Sequence, residues 1–449
     1  MSTKGCAIVI GASIAGLFAS QVLSNKFDSI VIIERDQLAD EPKPRRGVPQ
    51  SNHAHFLLAK GSRILADLFP NIQEELLANG AHKVDFMLDG RYLLPTGWAP
   101  SSRSGIVTYT CTRGLLELVI RKRVINNTKI RFLDNRRVTG LIFDKQKSRV
   151  IGVRISHAGN ATDKNEEELY ADFIVDASGQ KSMTPYWLQQ NGFPEVKETV
   201  INSDIGYATR LYYLDDSFRE DWQLIGILSQ PLKNPRMGVM YRVEKNQWIV
   251  AFEGIEKKNH PPIDNDGFLK FAADLASDKI YSVIKNAKPA SNIIGYRISG
   301  SSFKHYEELS SWPENFIVIG DAVAHFNPFY AQGMTAAALT AKMLEKKISE
   351  FGERRIGFAR IMQREITKIN YLPWLLATGE DLRWSSTKGP RPSIGMRMMQ
   401  KYVDKVLEIC PNSILASQKF LEVMHMLRTP IVLFHPRILI SLLLNLFKK

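Results

Sequence analysis

The N-terminal segment contains the pattern that most constrains the fold of this chain: an apolar strand, a glycine turn and a helix. Cys6–Ile10 is an apolar run typical of a buried parallel strand, and it is followed by the sequence GASIAG at residues 11–16. Gly11 permits a tight turn and Gly16 lets the helix approach the strand, while Ser13 stands where a glycine usually approaches a phosphate. The pattern predicts a helix N-terminus whose free N–H groups and dipole favour a bound pyrophosphate.

A second apolar strand completes a dinucleotide-binding pattern. Ser29–Ile33 is followed directly by Glu34, about twenty residues after the glycine turn, where a carboxylate can accept hydrogen bonds from ribose hydroxyls. An ordinary strand-helix-strand unit without a ligand is the simpler alternative, because the glycine pattern by itself is common. The ordered series of strand, turn, helix, strand and acid favours dinucleotide binding.

Two later strands end in polar turns and return the chain to the same sheet. Phe173–Asp176 is one of these strands, and residues 316–319 form the other, which Gly320 and Asp321 follow. Residues 327–334 then bend the chain into an alanine-rich helix. Since ligands bind at the carboxyl ends of parallel strands, we expect Asp321 to contact the same ligand as the N-terminal turn.

The order of elements predicts an α/β fold with a discontinuous, Rossmann-like domain. An inserted, mainly antiparallel β-sheet would interrupt this domain, and a C-terminal helical region would follow it. The alternation of apolar and polar residues predicts antiparallel strands within residues 131–156, 203–214 and 237–252, and helices are expected within 264–284 and 336–375. We assign the Rossmann-like domain to residues 1–60, 100–200 and 295–345, the substrate-binding region to 61–99 and 201–294, and the helical region to 346–449.

Composition is typical of a large globular protein of two or three domains. The chain has 449 residues, of which 44% are hydrophobic. Its three cysteines, Cys6, Cys111 and Cys410, form neither a paired framework nor a metal-ligand spacing, as expected in a reducing cytosol. The first strand begins so close to Met1 that no leader sequence is expected, and we expect a cytoplasmic protein.

The net charge of +13 raises the question of an acidic partner. No nucleic-acid motif accompanies it, so no nucleic-acid partner is expected.

From Pro430 to Lys449 the chain is strongly apolar but interrupted around Pro436, which leaves residues 438–447 too short to span a bilayer. This segment either packs as a terminal core helix or lies peripherally in the interface of a membrane, on its inner face. Both alternatives remain open at this stage.

Five motifs in order resemble those of a known family. They are GASIAG with Glu34, RRGVPQSNHAH at residues 45–55, CTRGLLE at 111–117, VDASGQKSMTPYWL at 175–188 and GDAVAHFNPFYAQGMT at 320–335. The chain resembles the FAD-dependent monooxygenases built like p-hydroxybenzoate hydroxylase, in the branch of the bacterial polyether alkene epoxidases, with squalene epoxidase more distant. The resemblance runs from Cys6 to about Leu344.

The resemblance implies a set of FAD-binding residues. Gly11, Ser13 and Gly16 would contact the pyrophosphate, Glu34 would hold the adenosine ribose, and Asp321 would bind the ribityl chain. The complete implied set is Gly11, Ser13, Ala15, Gly16, Glu34, Arg35, Arg46, Arg113, Asp176, Gly320, Asp321, Gly333 and Met334. Beside the flavin ring would lie Pro328, Gln332, Gly333 and Met334.

This chain departs from the family pattern in the last motif. Ala331 stands where the branch more often has glycine, and Ala324-His325 stands where small or sulfur-containing residues are frequent. These changes would alter contacts with the ring without excluding FAD.

The chemistry implied by the resemblance is oxygen transfer. NADPH or NADH would bind transiently and reduce the flavin, and O2 would add to the reduced ring. The resulting flavin hydroperoxide would epoxidise or hydroxylate a hydrophobic polyene, isoprenoid, quinone or polyketide. No metal and no catalytic triad is expected, and the catalytic residues are not identified. An apolar substrate pocket is expected on the inserted sheet, from Tyr207, Leu211, Tyr213, Met240 and Phe252, with Met237 and Tyr241 as further candidates.

Other functions remain compatible with the same motifs. One is a flavin-dependent reductase of isoprenoid double bonds, similar to geranylgeranyl reductase, and another is a non-catalytic lipid-binding protein on the same fold. The absence of a WxWxIP pattern argues against a flavin-dependent halogenase. His53 and His55 could ligate a metal, but a loop that contacts flavin is the better interpretation because no Cys or carboxylate partner is evident.

Overall fold

The computed structural model has a mixed α/β fold, which confirms the predicted fold class. It describes residues 5–159, 166–214, 218, 220–230, 233–298, 300–352 and 355–446. The strands within these ranges are β1 Cys6–Ile10, β2 Ser29–Ile33, β3 His82–Asp85, β4 Gly90–Leu94, β5 Gly97–Trp98, β6 Val107–Thr110, β7 Ile130–Leu133, β8 Arg136–Phe143, β9 Val150–His157, β10 Glu167–Tyr170, β11 Phe173–Asp176, β12 Glu198–Ile201, β13 Ile205–Tyr213, β14 Leu224–Ile227, β15 Arg236–Val243, β16 Gln247–Ile255, β17 Lys288–Pro289, β18 Ile294–Ile298, β19 Ser301–Lys304, β20 Phe316–Val318 and β21 Ala324–His325. The α-helices are α1 Ile14–Ser24, α2 Ala59–Leu68, α3 Ile72–Ala78, α4 Arg113–Ile125, α5 Thr184–Gln190, α6 Asn265–Ala273, α7 Lys279–Ile284, α8 Gly333–Phe351, α9 Phe358–Asp381, α10 Ile394–Ile409, α11 Ile414–Met424 and α12 Pro436–Leu446.

A parallel sheet with the strand order β20-β11-β1-β2-β7 forms the centre of the Rossmann-like part. β1 and β2 have the predicted bounds, and each is buried over nearly its whole length because helices cover both faces of the sheet. β7 pairs in parallel with β2, so the prediction of antiparallel strands throughout 131–156 is wrong at its start. The reason is that β7 follows α4, and a helical crossover returns the chain parallel to the preceding strand. The carboxyl ends of all five strands therefore lie at one edge.

A larger sheet, with the order β17-β13-β16-β15-β14-β4-β5 and β18 paired to β13, lies in the inserted part of the chain. Its long strands β13, β15 and β16 are antiparallel, as predicted from their alternating pattern. Lys245 and Asn246 have φ of +60° and +54° in the tight turn between β15 and β16, which fits the twist of a two-residue hairpin. Because side chains alternate along a strand, one face packs beneath α6 and α7 and the other faces the Rossmann-like part.

The two long predicted helical segments are each interrupted. Residues 264–284 form α6 and α7, and residues 336–375 form parts of α8 and α9. Gly352 and Gly357, with φ of +73° and +83°, stand between α8 and α9, in a backbone region that most residues avoid. The second break gives α9 its own direction and carries its C-terminal end, Asp381, back toward the sheet junction.

The C-terminal helices dock on the body of the protein and leave one apolar face exposed. The backbone N–H of Ala59 donates to Nδ1 of His425, just after α11, at 3.1 Å. In α12, Ile438 is buried, but four residues on the other side are 39–59% exposed, namely Leu439, Ile440, Leu443 and Leu444. Residues 447–449 of the predicted segment lie outside the described residues. Within the described ranges, no helix is both long and apolar enough to cross a membrane.

Candidate cofactor and substrate site

The turn between β1 and α1 requires both of its outer glycines. Gly11 has a φ of +102°, and a Cβ there would lie 2.5 Å from the carbonyl oxygen of Ala177. A Cβ at Gly16 would lie 1.9 Å from the carbonyl oxygen of Gly11. The second approach packs α1 closely on its strand, as the sequence pattern predicts, and the first brings the β1–α1 turn against the turn after β11.

A buried ionic cluster lies beside this turn. Glu34 is only 6% exposed at the end of β2; its Oε2 accepts a hydrogen bond from the N–H of Ala12 at 2.8 Å and lies 3.1 Å from Nη1 of Arg45. Nη2 of Arg45 lies 2.7 Å from Oε1 of Glu117. Oε2 of Glu117 in turn lies 2.9 Å from Nη1 of Arg113. We call Glu34, Arg45, Arg113 and Glu117 the ionic cluster.

The ionic cluster borders a cavity of about 390 Å³. Arg35, Arg46 and Arg113 are among its lining residues. Arg113 also donates to Oγ of Ser13 at 3.0 Å, which places its guanidinium at the N-terminus of α1. Arg35 and Arg46 at the cavity, and Arg113 between the cavity and the N-terminus of α1, suit a phosphate-containing ligand. The cavity is also lined by the acidic residues Asp36, Glu41 and Glu117.

The sequence prediction chose the less buried of two neighbouring arginines. Arg46 is exposed at the cavity rim, whereas the side chain of Arg45 is 8% exposed within the ionic cluster. Adjacent arginines in a loop carry no periodic pattern that would indicate which of them turns inward. Glu117 belongs to the quoted motif CTRGLLE but received no role, although it joins two guanidinium groups.

Asp321 lies where the β1–α1 turn meets the start of α8. Gly320 has a φ of +63°, and a Cβ there would lie 2.9 Å from Cβ of Ala15 in α1. Oδ1 of Asp321 would lie 3.6 Å from a Cβ placed on Gly333, the first residue of α8. Oδ2 of Asp321 is 3.4 Å from Nδ1 of His325. Two helix N-termini and one carboxylate thus meet at the same sheet edge.

Residues 327–332 connect this edge to the large sheet. Oδ1 of Asn327 accepts hydrogen bonds from the N–H of Phe329 at 3.1 Å and from the hydroxyl of Tyr207 at 2.7 Å. Pro328, Gly333 and Met334 are partly exposed, as a surface that contacts a ligand requires. Gln332 is 1% exposed, and neither polar atom of its amide has a hydrogen-bond partner within the described residues.

Asp176 does not offer its carboxylate to a cofactor, which corrects the role implied for it. It is fully buried; Oδ1 accepts from the N–H of Ser178 at 2.8 Å, and Oδ2 accepts from the hydroxyls of Ser182 and Thr184. The carboxylate therefore shapes the turn after β11, which in turn contacts Gly11.

The expected substrate pocket is divided between two faces of the large sheet. Met240 and Phe252 are 0% exposed in the core beneath α6 and α7, so they do not share a face with Tyr207. The strand register explains this correction: Tyr207 is paired with Glu253, so the adjacent residue Phe252 points to the opposite side, and Met240 on β15 points to that side as well. Leu211 shares the face of Tyr207, whereas Tyr213 is 41% exposed at the far end of the strand.

His53 and His55 lie between the two sheets as neutral side chains. Nδ1 of His53 is 2.8 Å from the hydroxyl of Thr209, and Nδ1 of His55 is 2.9 Å from the carbonyl oxygen of His53. Burial lowers the pKa of both imidazoles to about 4. The two rings therefore act as neutral hydrogen-bonding groups at neutral pH.

Three potential metal ligands occur together elsewhere in the described residues: His305, Glu307 and Glu308. Glu308 already pairs with Lys197 at 3.0 Å, and Glu307 accepts from the hydroxyl of Thr367 at 2.9 Å. The group is explained by these pairs and is not part of the sheet-edge site.

Two buried carboxyls escaped the sequence analysis altogether. Glu253 in β16 is 3% exposed and Asp381 at the end of α9 is 2% exposed. Neither stands in a recognisable motif, and they are far apart in the chain. Only the docking of α9 shows that Asp381 reaches Asn327, whose Nδ2 donates to it at 3.0 Å.

Solved structures with the same fold include flavoproteins of two kinds. The flavin-dependent brominase Bmp2 has a TM-score of 0.67 and 14% identity, covering 93% of this chain and 92% of its own. PqsL of P. aeruginosa, in complex with 2-aminobenzoylacetate, has a TM-score of 0.64 and 14% identity, covering 84% of this chain and 97% of its own. At these identities the likeness establishes the fold.

Sequence comparison gives the family. No family model matches the chain. Protein Rv3254 of Mycobacterium tuberculosis (strain ATCC 25618 / H37Rv) is 30% identical over 397 residues, which cover 87% of this chain and 83% of that protein. Similarity at this level over most of both chains shows common membership, and this chain belongs to the family of Protein Rv3254.

Proposed function

We propose that the chain is a flavin-dependent monooxygenase that binds FAD and oxidises a hydrophobic small molecule with O2 and NADPH or NADH. One observation carries the proposal. The N-termini of α1 and α8, the carboxylate of Glu34 and the carboxylate of Asp321 all meet at the carboxyl edge of one parallel sheet. This arrangement offers donors for a pyrophosphate and acceptors for ribose and ribityl hydroxyls.

The polar atoms at the site fit such a ligand. The amide of Gln332, Oγ1 of Thr335 and Oγ of Ser178 are buried and have no hydrogen-bond partner within the described residues. An unpartnered buried polar group costs about 1–3 kcal/mol, so the three groups favour a ligand that supplies partners. Glu34 and Asp321 would hold hydroxyl groups, and Arg113 with the N-terminus of α1 would hold the phosphates.

Bound FAD would supply electron transfer and the activation of O2. The chain itself encloses and orients the substrate. The hydroxyl of Tyr241 accepts from the N–H of His55 at 2.8 Å, which fixes residues 53–56 on the sheet. The ring of Phe56 lies 4.3 Å from that of Tyr241, and Phe86 packs on His425. These apolar contacts exclude water from the side of the site that faces the large sheet.

The visible absorption spectrum of the purified protein tests cofactor binding. We expect a flavin spectrum in the wild-type protein. In Asp321→Ala the affinity for FAD should fall at least about tenfold, because charge-assisted hydrogen bonds contribute about 1.5–3 kcal/mol each. Glu168→Gln is the control, since Glu168 lies on the surface in β10. A wild-type protein that takes up no flavin even after addition of FAD would favour the lipid-binding alternative.

Oxygen transfer is tested separately from flavin binding. NADPH or NADH should be consumed together with O2 in the presence of substrate, and the product should gain one oxygen atom by mass spectrometry. Anaerobic saturation of an isoprenoid double bond would instead support the reductase. Consumption of NADPH that yields only peroxide with every lipid offered would count against oxygen transfer to these substrates.

Halogenation is an alternative oxidation on the same fold, which the brominase Bmp2 shares. The sequence lacks the WxWxIP pattern, which argues against halogenation. Reactions with and without bromide would decide, because only a halogenase yields a product heavier by bromine.

Peripheral membrane contact is a further proposal, supported by the exposed leucine face of α12. Four apolar residues protrude there, and Arg437 and the C-terminal lysines of the sequence flank them. Co-sedimentation with anionic vesicles should fall in the double variant Ile440→Ser and Leu444→Ser. Equal sedimentation of variant and wild type would exclude this helix as the contact.

A further inference from the structure

A pair of buried carboxyls meets where the large sheet contacts residues 327–332. Glu253 on β16 is the direct cross-strand neighbour of Tyr207 on β13, so both point to the face that looks toward the proposed flavin site. The hydroxyl of Tyr207 donates to Asn327 at 2.7 Å, and Asn327 donates to Oδ1 of Asp381 at 3.0 Å. We call Tyr207, Glu253, Asn327 and Asp381 the acid cluster.

The acid cluster has hydrogen-bonding capacity that the protein does not use. Both carboxyl oxygens of Glu253 and Oδ2 of Asp381 are buried and form no well-aligned hydrogen bond within the described part of the chain. The hydroxyl of Tyr207 lies beside Glu253, and the hydroxyls of Ser203 and Tyr330 lie beside Asp381. No Lys or Arg of the described residues forms an ion pair with either carboxyl. Buried polar groups in native proteins nearly always have partners, so these atoms point to a partner that is not part of the chain.

Burial keeps these carboxyls from ionising readily. It raises the pKa of Asp381 to about 7 and the pKa of Glu253 well above its ordinary value. A protonated carboxyl can donate one hydrogen bond and accept others, whereas an anionic ligand would meet two acids and no cation.

We propose that the acid cluster binds a neutral hydrogen-bonding group, such as a hydroxyl, ketone or amide, of an otherwise apolar substrate, with Glu253 as the specificity-determining residue. That this ligand is the substrate of the enzyme rests on the proposed function. It narrows the substrate class, because a purely hydrocarbon molecule would leave the carboxyls unpartnered and a carboxylate would be repelled. Apolar contacts on this face come from Tyr207, which packs with Ile205, Ile255 and Trp384, and from Leu211.

Binding of matched probes tests the proposal. The probes are 2-naphthol, 2-methylnaphthalene and 2-naphthoate, together with farnesol and its hydrocarbon analogue, titrated calorimetrically into the protein with and without FAD. We expect each hydroxyl probe to bind about tenfold more tightly than its apolar analogue, and the carboxylate to bind most weakly. Equal affinities for the hydroxyl probes and their apolar analogues would overturn the proposal, and so would a failure of every probe to bind.

Variants of Glu253 provide the second measurement. Glu253→Leu should abolish the preference and raise the midpoint of thermal unfolding, since it removes an unpartnered buried carboxyl. Glu253→Gln should retain the preference because it still donates and accepts. Met240→Leu is the matched control on the opposite face of the sheet and should leave the preference unchanged.

The outcomes separate this inference from the proposed function. Glu253→Leu should bind FAD as the wild type does, and flavin content is read from the spectrum independently of the probes. If no flavin binds, the calorimetric preference of the FAD-free protein still decides the role of the acid cluster. A fall in the unfolding midpoint of Glu253→Leu would show that Glu253 has an internal structural partner, and it would overturn the proposal.

Discussion

The ionic cluster and the acid cluster contain carboxyls that are equally buried but differently partnered. Glu34 and Glu117 are 6% and 5% exposed, and Glu253 and Asp381 are 3% and 2% exposed. Each carboxylate of the first pair contacts a guanidinium group within 3.1 Å, whereas no cation pairs with the second pair among the described residues. The difference shows that equally buried carboxyls of one protein can lie in opposite electrostatic surroundings, one pair against guanidinium groups and the other without a cation.

The same difference has opposite consequences for stability. A buried ion pair whose partner is removed leaves an uncompensated charge, so mutation in the ionic cluster should destabilise the protein. The carboxyl of Glu253, neither oxygen of which forms a well-aligned hydrogen bond within the described residues, already carries a penalty, so its replacement by an apolar side chain should stabilise the protein. The contrast predicts which carboxyls support the fold and which are retained for a ligand.

The largest expected effect follows removal of the charge of Glu117. This carboxylate lies between Arg45 and Arg113, so Glu117→Gln should lower the free energy of unfolding by about 3–5 kcal/mol. Glu168→Gln is the exposed counterpart, since Glu168 pairs with Arg154 at 3.2 Å on the surface, and it should change stability by at most about 1 kcal/mol. Urea unfolding of both variants measures the difference. Equal effects would show that the ionic cluster is solvated rather than buried.

The pH dependence of stability tests whether Asp381 of the acid cluster is protonated in the folded protein. The pKa of Asp381 is raised from 3.8 to about 7 by burial, so the folded state holds its proton over a range in which the unfolded state has lost it. The free energy of unfolding should therefore fall as pH rises from about 4 to about 7, by on the order of 3 kcal/mol for this group. Asp381→Asn should remove this slope while keeping the acceptor for Asn327.

Urea unfolding of wild type and Asp381→Asn across this pH range isolates the contribution. Ionisable groups remote from Asp381 are common to both proteins, and their contributions cancel in the difference. The neighbouring Glu380 and Glu253 interact with the charge of Asp381, so the measured difference includes this coupling. Parallel curves for the two proteins would show that Asp381 is ionised in the folded state throughout.

The part of the site that the sequence predicts correctly is the part set by short-range geometry. The turn at Gly11, the strand ends at Glu34 and Asp321, and the start of the alanine-rich helix follow from local conformation and from the rule that parallel strands end at one edge. The predicted α/β fold is confirmed for the same reason. The roles of these residues toward FAD remain predictions.

The acid cluster could not be predicted because it depends on long-range packing. Glu253 interrupts an otherwise apolar strand, which signals a polar position but gives no partner, and Asp381 lies in a helix whose direction depends on the break before it. The pocket prediction failed for Met240 and Phe252 because it selected residues by apolarity without counting their alternation along the strands. Alternation separates the faces within each strand, and the register that pairs Tyr207 with Glu253 is needed to relate one strand to the next.

The smallest expected effect concerns Ala331, a position at which the enzyme branch that this chain resembles more often has glycine. Its φ of +52° places it in the left-handed region, which costs a residue with a Cβ about 1 kcal/mol. Ala331→Gly relieves this strain but increases the entropy of the unfolded chain, so the net gain should be about 0.5 kcal/mol.

The matched control is Ala66→Gly within α2, where the same substitution should lower stability by about 0.5–1 kcal/mol because the residue is helical. Opposite signs of the two changes in urea unfolding would show that residues 327–332 hold a strained backbone at the centre of the site. A loss of stability in both variants would mean that the methyl group of Ala331 contributes packing that outweighs the strain. In that case Ala331, which stands where glycine is more common, stabilises the loop 327–332 between the proposed flavin site and the acid cluster.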